Sequence, residues 1–132
     1  MRNRPTLEPS DVAKMVAAAK AEAAKNGWDV AIAVVTDGGY IAHVERMGSL
    51  EGMSGEIAVA KARGAALTKR STKEWEERLK DRTGFLNFPN LLPIQGGLPI
   101  EYQGQCVGGI GVSGRPSPED EIVARAGLAA LG

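Results

Sequence analysis

The chain has 132 residues, 43% hydrophobic and 24% charged, a composition that suits one soluble domain with a core of its own. Sixteen basic residues balance sixteen acidic ones, so no net field exists to hold nucleic acid or an anionic membrane. A single cysteine, Cys106, excludes an internal disulfide, and a single histidine, His43, excludes a multi-histidine metal cage.

Leu7, Val12, Met15, Val16, Ala19 and Ala23 recur at helical spacing, with Thr6 as the expected N-cap and Asn26-Gly27 as the stop. Residues 30–35 are apolar on both alternating faces, as in a central strand covered on both sides. Asp37-Gly38-Gly39 reads as a hairpin turn, after which Tyr40 to Glu45 returns as a second strand. Strict alternation puts Tyr40, Ala42 and Val44 on one face and Ile41, His43 and Glu45 on the other.

Residues 54–68 form a small-residue helix, which can lie close against a sheet, and Thr72 is the expected cap of a further helix. From Thr83 to Gly97 the chain is irregular yet carries six large apolar residues, with room for an extra strand; a loop of this kind is functional or covered. Leu98–Tyr102 and Gln105–Ser113 then pair as a hairpin across Gln103-Gly104. Ser117 as N-cap, Pro118 at the first position, and Glu119 and Asp120 signal a closing helix. The order is α-β-β-α-α-β-β-α, an antiparallel sheet flanked by helices in one α+β domain spanning residues 1–132. No run approaches a membrane span and the start lacks the apolar core of a signal peptide, so the expected compartment is cytoplasmic.

The ordered set AIAVVTDGG, ERM, IAVAKARGAA, GGLPI, GGIGVSG and PEDEIVARAG, spread from Thr6 to Leu131, resembles the GlcG/HbpS family. That family includes the C-terminal domain of PduO-type proteins. The resemblance implies a profilin-like α+β domain that assembles into homo-oligomers, often octamers. Some members bind haem, so haem is the implied cofactor, and others belong to catabolic operons. The chain departs from the common R-M-D-G-A segment, because Arg46-Met47 is followed by Gly48-Ser49 and a carboxylate is lost there.

Three features are candidates for chemistry. The glycine-rich hairpin fits neither a P-loop nor a dinucleotide fingerprint; Gly96 and Gly97, with Gln95 before them and Phe88 in the apolar loop, read as a ligand pocket, with pure packing of a tight, twisted hairpin as the alternative. Glycines 108–114 are assigned instead to close packing.

Arg46 and Lys61 are the cations that could anchor a ligand carboxylate or a haem propionate, with a structural ion pair as the equal alternative. Glu56, Arg63 and Arg70 can share one helical side, where surface ion pairs are the plain reading. His43 is the candidate axial ligand to a haem iron, and Cys106 reads as an inert core thiol.

Two functions follow. One is an oligomeric protein that binds haem or a similar carboxylate ligand. The other is a small catabolic enzyme acting on an unsaturated organic acid, with Arg46 and Lys61 as anchors and Glu45, Glu56, Lys61 or His43 as candidates for the chemistry. A chaperone-like assembly protein is a third reading without a dedicated feature.

Overall fold

The computed structural model describes residues 1–131, arranged as a four-stranded antiparallel sheet with helices on both faces. The elements are α1 (Pro9–Lys25), β1 (Ala31–Thr36), β2 (Ile41–Arg46), α2 (Ser54–Thr68), α3 (Thr72–Arg78), β3 (Gly97–Tyr102), β4 (Gln105–Ser113) and α4 (Ser117–Leu131). The sheet order is β2-β1-β4-β3, so β1 and β4 are central and β2 and β3 form the edges. The irregular segment holds a 3₁₀ turn at Thr83–Asn87 rather than an extra strand.

Alternation along β1 divides the core. Val30, Ile32 and Val34 face α1 and α4, which pair with each other on one side of the sheet. Ala31, Ala33 and Val35 face α2, which lies across the other side and meets them with Ala58, Ala62 and Ala66, while the short α3 touches β3 beside it.

Three glycines explain how α2 comes so close. A Cβ at Gly111 would overlap the Ala58 carbonyl oxygen, one at Gly109 the Ala62 carbonyl, and one at Gly97 the Lys61 carbonyl. Helix backbone therefore rests directly on strand backbone, which only glycine permits. The packing assigned to glycines 108–114 is thus observed at Gly109 and Gly111.

Gly96 and Gly97 also belong to this packing. Gly96 is at φ +131° with the Lys61 ammonium and Val112 carbonyl where a side chain would stand, and both glycines are buried. They make room for α2 rather than for a ligand.

Local signals differ from strict expectation at four points. Helix α1 is capped at Glu8, not Thr6: the Asp11 carboxylate accepts the Glu8 amide at 2.8 Å, and Pro9 takes the first helical position. Helix α3 is capped by Ser71, whose hydroxyl accepts the Glu74 amide, because Thr72 is fully buried and accepts the Gly97 amide at 2.8 Å. Helix α4 starts one residue early, since the Pro116 carbonyl accepts the amides of Glu119 and Asp120.

The fourth difference matters most. Val34 pairs with His43 but Val35 pairs with Ile41, so Ala42 is the extra residue of a β-bulge. The bulge moves Ile41 to the α2 side with Val44 and Arg46, while His43 and Glu45 point to the α1 side.

Candidate functional site

A groove of about 510 Å³ runs between edge strand β2 and helix α2, lined by Ile41, Val44, Glu45, Arg46, Gly52, Gly55, Glu56, Val59 and Arg63. Two patterns build it. The bulge at Ala42 brings Ile41, Val44 and Arg46 to one face, and the i, i+3, i+7 spacing of Glu56, Val59 and Arg63 aligns a stripe of α2 above them.

Its floor is apolar and open to solvent: Ile41 is 53% exposed and Val44 42%. The first turn of α2 lies beside the Arg46 stem, whose Cγ is 4.0 Å from the place of a Gly55 Cβ.

The cations of this groove are under-used. Arg46 donates only a long 3.4 Å bond to the Leu50 carbonyl, and Arg63 donates through Nε to the Gly39 carbonyl at 2.9 Å. Among the described residues neither guanidinium has a carboxylate within ion-pair distance, and Glu56 also has no salt bridge. Two forked donors beside an exposed apolar floor match the chemistry of a planar organic carboxylate. Arg63 was legible only as a surface ion-pair residue, because its free donors depend on the β1–β2 turn that occupies its Nε.

The remaining candidates separate from this groove. Lys61 is 2% exposed and its ammonium donates to Asp120 Oδ2 at 3.1 Å and the Val112 carbonyl at 3.0 Å. Of its two sequence readings, the structure shows the internal ion pair. Asp120, which sequence reasoning took only for a first-turn residue, also accepts the Arg115 amide at 3.0 Å. Burial pushes its carboxyl up, against the opposing pull of Lys61 and the Arg115 amide.

Gln95 is buried and its backbone N–H donates to Glu76 Oε1 at 3.3 Å. Phe88 stacks edge-on with Trp75 and Phe85, at centroid separations of 5.4 and 5.2 Å.

His43 lies across the strand, in a second groove of about 480 Å³ between α1 and β2 with Leu7, Val12, Val16 and Lys20. Its Nε2 lies 2.8 Å from Glu45 Oε1, and Lys20 lies 2.9 Å from Glu45 Oε2. Hydrogen bonds from Lys20 first and His43 second hold the Glu45 carboxyl below its ordinary range. Among the described residues no cluster of three metal-ligating side chains exists.

Residues 7–129 match the family described as haem degrading protein HbpS-like. The chain belongs to the HbpS-like family. It is 39% identical over 114 residues to protein GlcG of Escherichia coli K12, covering 86% of this chain and 85% of that relative. A crystal structure of a double mutant of HbpS from Streptomyces reticuli superposes with a TM-score of 0.93 at 34% identity, covering 100% of this chain and 91% of the other.

The crystal structure of a PduOC:haem complex superposes at 0.89 over 97% of this chain and 96% of that one, but at 23% identity that likeness concerns the fold alone. The family and the α+β sheet architecture expected from the residue patterns are thereby established. No helix of the described residues is long and apolar enough to cross a membrane.

The β2–α2 groove fits one part of a haem and not another. Its guanidiniums suit propionates and its floor suits a ring edge, but no imidazole, thiol or thioether lines it. His43, the sole imidazole, stands on the opposite face of the strand.

Proposed function

We propose that this protein binds an amphipathic carboxylate ligand, haem being the leading candidate, in the groove between β2 and α2. The observation that carries this reading is the pair Arg46 and Arg63, without carboxylate partners, beside exposed Ile41 and Val44. Arg63 is half-buried and Arg46 exposed at its side, and a ligand carboxylate would use the forked donors of both. Membership of a family named for haem degradation supports haem as the ligand.

Haem titration followed by absorbance tests this. The expected result is a Soret change at stoichiometric haem that is lost in an Arg46→Ala/Arg63→Ala variant and kept in His43→Ala. Loss in His43→Ala with retention in the arginine variant would overturn the assignment and move the ligand to the α1–β2 groove.

A second reading rests on Glu56, which lines the same groove without an ion-pair partner and so is free to move a proton. In it the two arginines hold the carboxylate of an unsaturated organic acid. Turnover of such acids, abolished by Glu56→Gln, would support it, and Glu45, held ionised by Lys20 and His43, is the weaker base.

Self-association belongs to the same proposal. Strand β2 is a sheet edge, and Tyr40, Ile41, Val44, Met53 and Leu67 are exposed around it. A second copy covering this edge would also wall the groove. Light scattering that gives the 13.9 kDa mass of one chain would exclude it.

A further inference from the structure

At the opposite end of α2 a separate cavity of about 590 Å³ is lined by Arg2, Asn3, Arg4, Asp37, Ala66, Lys69, Gly104, Gln105 and Cys106. Three of these residues are cations and one is an anion. Arg4 pairs with Asp37, whereas Arg2 and Lys69 have no carboxylate within ion-pair distance among the described residues.

Lys69 ends α2 in the left-handed region, at φ +59°, a position where glycine is usual because a side chain is strained there. The lysine is thus kept at a backbone cost. The C-terminal end of α2 contributes partial negative charge near Ala66, about half an elementary charge, which is smaller than the surplus of cations.

We propose that this cavity is a binding site for a small dianion of the phosphate or dicarboxylate type, held by Arg2 and Lys69. Such an ion would use the two unpaired cations while the Arg4–Asp37 pair closes one wall. The site is independent of the β2–α2 groove, with which it shares no lining residue.

Cys106 is a built-in reporter, because it lines the cavity and its half-buried thiol donates to the Gly108 carbonyl at 3.3 Å. The experiment measures its labelling by a dianionic aromatic disulfide and by a neutral dipyridyl disulfide, at constant ionic strength. In the intact protein inorganic phosphate or malonate is expected to slow labelling by both reagents. In Arg2→Glu/Lys69→Glu the anionic reagent should slow by roughly tenfold, as expected when a focusing charge cluster is reversed. The neutral reagent should slow less than the anionic one, only by the loss of the Lys69 charge that favours the thiolate, and protection by phosphate and malonate should vanish.

Amide resonances of Gly104 and Gln105, followed through the same titrations, report occupancy where thiol labelling is slow. Protection by only one of the two anions identifies which type the site takes. Resonances and labelling rates that ignore both anions, or that respond equally in the double variant, would overturn the proposal.

Discussion

Glu45 shows how much one side chain's surroundings decide. Next to Arg46 in sequence, it reads as a base for the groove, but its carboxylate is spent on Lys20 and His43 across the strand. Because those partners lower its folded pKa below the ordinary 4.5, the stability it contributes is complete above that value and lost as pH falls through the folded pKa. Glu45→Gln should therefore lower stability at neutral pH by less than about 1 kcal/mol, since the pair is partly exposed. Chemical denaturation across the acid range checks this: the two proteins should converge below pH 4.5, and parallel curves would contradict it. Cys106 behaves in the opposite sense, since burial pushes its thiol above the ordinary 9.0, and its alkylation should accelerate only in alkaline solution.

At the scale of elements, the contact between α2 and the sheet dominates. Small residues at Ala58, Ala62 and Ala66 meet Gly109 and Gly111, and backbone approaches backbone along the helix. Gly111→Ala forces the helix or strand to move and should cost about 1–3 kcal/mol or more. Gly104→Ala has open space around it but a φ of +77°, so its cost should be only about 1 kcal/mol, from the backbone alone. Thermal unfolding of the two variants compares them, and an equal loss would mean that close approach is not what Gly111 supplies. The bulge at Ala42 is the other decisive local feature, because it exchanges which residues β2 offers to α2 and to α1. Neither glycine nor proline marks it, so alternation read along the strand passes over it.

Across the whole molecule, Lys61 and Asp120 tie α2 to α4 through the sheet, from opposite faces, by side chains 2% and 1% exposed. Removing one partner leaves the other charge buried and unmatched, so Lys61→Ala or Asp120→Ala should each cost about 3–5 kcal/mol. The double variant Lys61→Met/Asp120→Leu should lose much less than the sum, because no orphaned charge remains. A denaturation cycle measures this, and strictly additive losses would show that the pair is not coupled. The expected ligand set of Gln95, Gly96, Gly97, Phe88, Lys61 and Arg46 thus divides into an internal latch, an aromatic cluster and one side of an open groove. Residues that share a sequence motif were packing against each other rather than facing a common ligand.

The residues alone determined the order of elements, the antiparallel hairpins, the family and the small-residue character of α2, because these rest on local periodicity, turn glycines and an ordered set of motifs. They also singled out Arg46 and Glu56. Tertiary structure decided the rest: that Gly96 and Gly97 close over Lys61, that Asp120 meets that lysine, that Arg63 keeps its outer donors free, and that His43 lies across the strand from Arg46. Each of these depends on contacts between residues far apart in the chain, or on a single bulged residue that shifts the face of its neighbours. Local pattern carries no record of either.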